Sequence, residues 1–300
     1  MTKCGYAKLP TQAIYAMTGS SDHDLHAALT YATHDGVALQ GDLYLPKGAG
    51  PFPALVAVHG GGWQQGVRSQ FQYWGAHLAA RGYALLAISY RLAKKGTKTF
   101  PHAVHDVVSA VQFLRANAAQ YRLDPDRLGL FGASAGAHLV SLAALGANAG
   151  KFLDGYPDDP QAKQSAKVKV LIGVYGVYDL IEMWERYRAD SPRDNNIENF
   201  VGAAPMESRQ LYFDATPISY ATYATNQTAV LLSCGTEDDL VDRRRHTDVF
   251  LRALKQAGFF VRTCYVPGAG HYWASDPIDE PGSYPAVLAP RLIRFLAEKL

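Results

Sequence analysis

Three hundred residues, 48% of them hydrophobic, can bury a large core, and the expectation is one α/β domain over residues 1–300 that carries an insertion. Lys and Arg number 29 against 27 acidic residues, and a net charge of +2 offers no general field for nucleic acid or an anionic membrane, so a small neutral substrate fits better. Met1 to Ser20 holds no continuous apolar signal core and no later run approaches a membrane span, which reads as a soluble, unexported, cytoplasmic chain.

Taken in order, Leu29 to Pro46 alternates Tyr31, Val37, Leu39, Leu43 and Leu45 around Asp35-Gly36 and predicts an opening hairpin at an antiparallel edge. Ala54 to His59 is continuously apolar, the mark of a strand covered on both faces, and it runs into Gly60-Gly61-Gly62-Trp63. A helix over about Gln70 to Arg81, stopped by Gly82, precedes a second buried strand, Ala84 to Tyr90. Pro101 opens a helix whose Val104, Val107, Val108, Val111 and Leu114 follow the helical period. Leu128 to Ala133 then predicts a strand that breaks at Ser134 and restarts as a small-residue helix, and Lys169 to Gly176 is a further buried strand. Repeated crossovers of this kind favour a mostly parallel sheet with helices on both faces. From Tyr178 to about Tyr223 the rhythm stops, and aromatic residues among charges and prolines read as a cap-like insertion over the site. Ala229 to Cys234 resumes the sheet, Arg244 to Ala257 is a helix stopped by Gly258, Val261 to Val266 is the last strand, and Leu288 to Leu300 closes the chain as a helix. Cys4, Cys234 and Cys264 are odd in number and widely spaced, so two read as small core residues rather than as a zinc site or disulfide.

The chemistry centres on Gly132-Ala133-Ser134-Ala135-Gly136. A serine on a sharp strand-to-helix turn needs small residues on both sides, and it is a weak nucleophile unless a base takes its proton and a third group orients that base. The late strand Ala229 to Cys234 delivers Gly235-Thr236-Glu237-Asp238-Asp239 to the sheet's carboxyl edge; Asp238 is the preferred acid, with Glu237, Asp239 and Asp242 within reach. The next strand delivers His271 on the loop Pro267-Gly268-Ala269-Gly270 as the base. Acyl transfer puts negative charge on the carbonyl oxygen, and the glycine run can bring bare amides to it, so Gly61, Gly62 and Ala135 are the expected oxyanion donors. Trp63, Trp184, Tyr272 and Trp273 flank these segments as candidate pocket walls, although ordinary core packing explains each about as well. His59 reads as shaping its loop through a backbone hydrogen bond, His138 as a bonded core histidine, and His102 and His105 have no metal partner at a convincing spacing. Arg243-Arg244-Arg245 reads as a solvated helix start.

The segments HGGGW, GASAG, GTEDDLV and GAGH, in that order over about residues 28 to 300, make the chain resemble α/β-hydrolases of the carboxylesterase type. The resemblance implies an eight-stranded, mostly parallel sheet with Ser134, Asp238 and His271 at its carboxyl edge, and its Gly-Thr-x-Asp-x-x-Val pattern selects Asp238 over Asp239. HGGGW is similar to the HGGxW of kynurenine formamidases, and GASAG with a nearby His138 recurs there and in bacterial acetylxylan and feruloyl esterase-like proteins. The chain departs from hormone-sensitive-lipase-type esterases, with Ala133 where those carry Asp and no DPL pattern at the acid. The expected function is cofactor-free and metal-free hydrolysis of small carboxylic esters. Cleavage of an N-formyl aromatic amine and a non-catalytic small-molecule receptor are the alternatives.

Overall fold

The computed structural model describes residues 22–190 and 195–300, so Cys4 and the reading of Met1 to Ser20 lie outside the described residues. Eight strands form one sheet: β1 (His23–His34), β2 (Val37–Pro46), β3 (Phe52–Val58), β4 (Ala84–Ile88), β5 (Leu123–Ala133), β6 (Val170–Val174), β7 (Ala229–Gly235) and β8 (Val261–Val266). Their spatial order is β1-β2-β4-β3-β5-β6-β7-β8. β1 pairs antiparallel with β2 and β2 with β4, while every later pairing is parallel. The parallel strands β3, β4 and β6 read as unbroken apolar runs because both faces are covered.

Alternate residues of each strand feed two cores. Leu55, Leu85, Phe131 and Ile172 pack against Trp74 and Leu78 of α1 (Gln72–Ala79) and against Leu292 and Phe295 of α8 (Pro285–Lys299). Val56, Leu86, Leu130 and Leu171 pack against α2 (His102–Ala116), α3 (Ala135–Asn148) and α7 (Thr247–Gln256). Between β6 and β7 the chain makes α4 (Leu180–Asp190), α5 (Asn196–Val201) and α6 (Arg209–Asp214) with short 3-10 turns, and no strand occurs there among the described residues.

Departures from the sequence reading fall where burial is one-sided. β1 begins at His23 rather than Leu29, because its first residues are mostly exposed, offer no apolar alternation, and are shifted in register between His26 and Leu29. β5 similarly starts at Leu123, five residues before its buried run. The helix expected from Gln70 begins as a 3-10 turn at Arg68–Phe71, and the helix expected from Arg244 starts at Thr247. Cys234 and Cys264 are free and buried. No helix of the described residues is long and apolar enough to cross a membrane.

Five buried histidines make stability pH-dependent. Desolvation holds His138 down at about 3 and His59, His105 and His246 at about 4, each offset only in part by its neighbours. Unfolding returns them to about 6.5, so the unfolded chain binds more protons and stability falls as the pH drops from about 6.5 toward 4. His34 works in the opposite sense: burial lowers its pKa, but hydrogen bonds to Asp106 (3.0 Å) and Asp159 (2.8 Å) raise it overall, because two carboxylates accept from both ring nitrogens only when the imidazole is charged. Its contribution is complete below about 6.5 and fades as the pH rises through its folded value. Four groups outweigh one, so the urea unfolding midpoint is expected to be lower at pH 4.5 than at pH 7, and an equal or higher midpoint would contradict this assignment.

Candidate active site

β5 ends and α3 begins at Ser134, whose backbone sits at φ 55° and ψ −121°. The flanking glycines are required by contact. A Cβ on Gly132 would lie 2.4 Å from the Gly136 carbonyl oxygen, and one on Gly136 would lie 2.0 Å from the Val58 carbonyl oxygen of β3. Their absence lets α3 start against the strand and turns the Ser134 side chain out at the sheet's carboxyl edge. The turn is held by Ser134 N–H donating to the Val174 carbonyl at 2.9 Å, and the first turn of α3 carries no side-chain cap.

Three of the residues expected from sequence meet here. His271 Nε2 is 3.0 Å from Ser134 Oγ, and its Nδ1 is 2.7 Å from Asp238 Oδ2. The side chains of His271 and Asp238 are 2% and 0% exposed, so this pairing is shielded from water. The other Asp238 oxygen accepts from the Leu240 and Val241 amides at 3.1 and 2.9 Å, which fixes the carboxylate's rotation. Asp242 instead accepts from Arg245 N–H at the start of the α7 turn. The acid and histidine loops are tied to each other: Gly268 N–H donates to Thr236 Oγ1 at 2.9 Å, and a Cβ on Gly235 would come 2.0 Å from the Ala269 carbonyl oxygen.

The glycine loop lies beside this array. Gly61, Gly62 and Trp63 all have positive φ, at 121°, 59° and 61°. A Cβ on Gly60 would approach the Ser134 Cβ to 3.0 Å, which shows how closely the loop and the serine lie. His59 Nδ1 donates to the Gly60 carbonyl at 2.8 Å and its ring stacks on Tyr90, a loop-shaping role in keeping with the sequence reading. Gly61 borders a cleft of about 290 Å³ that also reaches Gly60, Ser134, Tyr175 and Tyr272. Gly62 follows one residue on, and Ala135 opens α3 with its amide at the uncapped helix N-terminus, where partial positive charge favours an anion. Two larger grooves, about 440 Å³ each, lie along Lys98 to Glu207 and beside Phe213, and neither includes Ser134.

The four aromatic candidates separate. Tyr272 is 68% exposed and lines the cleft, with its ring edge-on to His271 at 4.6 Å. Trp63 is buried, stacks on Phe200, and donates its indole N–H to His138 Nδ1 at 3.2 Å. His138 Nε2 donates in turn to the Ala215 carbonyl at 2.8 Å, so this histidine is the bonded core residue the sequence suggested. Trp184 donates to Glu198 at 2.7 Å, and Trp273 is buried edge-on to Tyr175; neither borders the cleft. Arg243 and Arg245 pair with Asp248 and Glu182 at 3.0 and 2.6 Å, as a solvated helix start would.

Tyr175 was not singled out from sequence. It follows β6 at φ 38°, its ring centroid is 4.4 Å from that of His271, and its hydroxyl accepts from Ala274 N–H at 3.0 Å. Burial raises its pKa and keeps it a neutral wall. Its position one residue past a buried parallel strand was the available signal, since side chains there project at the sheet's carboxyl edge. Among the described residues no group of three or more His, Cys, Asp or Glu side chains could hold a metal ion.

A family model described as BD-FAE matches residues 41–252. Esterase LipC of Mycobacterium tuberculosis is 30% identical over 231 residues, 74% of this chain and 53% of that protein. The probable carboxylic ester hydrolase LipM of the same organism is 32% identical over 169 residues, 52% of this chain and 38% of that protein. The chain thus spans about half the length of the curated relatives it matches. Among solved structures, the butyrate-bound thermophilic esterase Est2 of Thermogutta terrifontis aligns with a TM-score of 0.72 at 23% identity, covering 92% of this chain and 94% of that one. The shared fold is the α/β-hydrolase fold.

Proposed function

The chain belongs to the BD-FAE family, and from that premise we propose that it is a serine carboxylesterase acting on small carboxylic esters. The observation that carries the reading is the continuous hydrogen-bonded path from Ser134 Oγ through His271 to the buried Asp238, 3.0 and 2.7 Å long in its two steps. In the proposed reaction Ser134 Oγ attacks the ester carbonyl while His271 Nε2 takes its proton. Asp238 accepts from Nδ1–H and so holds the tautomer and stabilises the imidazolium. The amides of Gly61, Gly62 and Ala135 receive the developing oxyanion. The imidazolium then protonates the departing alcohol, and water, deprotonated by His271, releases the acid from the acyl-enzyme. The sequence calls on no group beyond these and one water.

The cleft, about 290 Å³, lies at the small end of ligand sites and favours a short acyl group. Residues 178–223 act in this reading as a cap on a single domain, consistent with the place of α4 to α6 between β6 and β7. The relatives named above are esterases, and they lend no support to the formamide-cleaving alternative. The test is a hydrolysis panel run beside fluorophosphonate labelling. Turnover of p-nitrophenyl acetate and butyrate, with the label on Ser134, is expected. Cleavage of N-formyl aromatic amines but not esters would contradict the proposal.

A further inference from the structure

The glycine loop is anchored on its buried side by Trp63, whose carbonyl accepts from Ala93 N–H at 2.8 Å, but its outer corner rests on the insertion. Asn196, the first residue of α5, stands at that crossing. Its Oδ1 accepts from Gln64 Nε2 at 2.7 Å, and its amide nitrogen lies so close over Gly62 that a Cβ there would come to 2.9 Å. The hydroxyl of Tyr187, which reaches over from α4, lies 3.9 Å from the same Gly62 position. The base under Asn196 is fixed. Asn195 caps α5 through Ile197 N–H at 2.9 Å and donates to the Trp184 carbonyl at 3.1 Å, while the Phe200 carbonyl accepts from Thr99 and Phe100.

Two adjacent glycines have wide conformational freedom, and Trp63 at φ 61° is held in a region that is strained for an L-residue. A loop of this kind keeps its shape only where its surroundings fix it. We infer that Asn196 is a positioning residue for the oxyanion loop: through Gln64 and by direct contact with Gly62 it holds the Gly61 and Gly62 amides toward the acyl oxygen. The inference rests on the esterase reading. Because the oxyanion charge develops only in the transition state, loosening this anchor lowers kcat and leaves ester binding and the Ser134–His271–Asp238 path as they are.

The test compares wild type, Asn196→Ala, Gln64→Ala and the double variant on p-nitrophenyl acetate. It adds inhibition by a trifluoromethyl ketone, whose serine adduct carries the oxyanion, and thermal unfolding. Each single variant is expected to lose about 10- to 100-fold in kcat, as small misplacements in a site do. KM stays within about twofold and ketone affinity falls in parallel with kcat. The acid limb of the pH–rate profile does not move, and the double variant is no worse than Asn196→Ala, because the Gln64 path is already lost when Asn196 is gone. Wild-type kcat in either single variant, a loss confined to KM, ketone affinity that does not follow kcat, or losses that multiply in the double variant would overturn the inference. A wild-type protein that neither hydrolyses the ester nor binds the ketone would instead overturn the esterase reading, and this inference with it.

Discussion

Ser134→Ala is expected to lower ester turnover by roughly 10⁴- to 10⁶-fold while leaving the protein folded. The loss is large because in the proposed reaction the hydroxyl is both the attacking atom and the donor to His271, 3.0 Å away. The fold is expected to survive because Ser134 provides no side-chain cap to α3, and alanine keeps the same Cβ at the same strained φ of 55°. One hydrogen bond of about 1 kcal/mol is removed, a shift of about 2 °C in Tm for a chain of this size. Steady-state hydrolysis of p-nitrophenyl acetate with a thermal melt on the same sample checks both halves. Turnover within tenfold of wild type would exclude Ser134 as the nucleophile, and a collapsed melt would place it in the scaffold.

Asp238→Asn should cost about 10⁴-fold in kcat at neutral pH, the loss expected when the orienting carboxylate becomes an amide. The amide oxygen can still accept from Leu240 and Val241, so the loop keeps its shape. The amide nitrogen then faces His271 Nδ1 at the position of the former Oδ2 and donates to it. The ring must therefore carry its proton on Nε2, where it cannot accept from Ser134. Asp239→Asn and Asp242→Asn are the controls, and both should retain activity near wild type. A large loss in either control, with little loss at Asp238, would move the acid to a neighbour.

The sheet was legible wherever both faces of a strand are covered, as at Val56 to Val58 and Val170 to Val174, because such strands must be apolar throughout. It was illegible at His23 to Ala28, where an edge strand faces water and follows a shifted register. The site was legible for a different reason. Each chemical demand falls on a short segment: glycines where Cβ atoms would clash, an acid past one strand, and a histidine past the next. What escaped depends on contacts between distant segments. Tyr175 matters through His271, 96 residues on, and Asn196 through Gln64, 132 residues back. The α5 helix has a local signal after all, with Asn195 as cap and Glu198 three residues later, but six residues are too few to show an amphipathic period. Position alone left Trp63 as either a pocket wall or a core residue, and only the packing of Phe200 and His138 around it shows that it is buried in the core.

Acid-quenching the protein during p-nitrophenyl acetate turnover, followed by peptide mass mapping, tests the proposed acyl-enzyme most directly. An acetyl group on the peptide containing Ser134, absent from Ser134→Ala and from His271→Ala, in which no base takes the serine proton, is the predicted result. Ester turnover with the acetyl group on another residue, or with Ser134 never acylated under conditions that trap a control serine esterase, would contradict it.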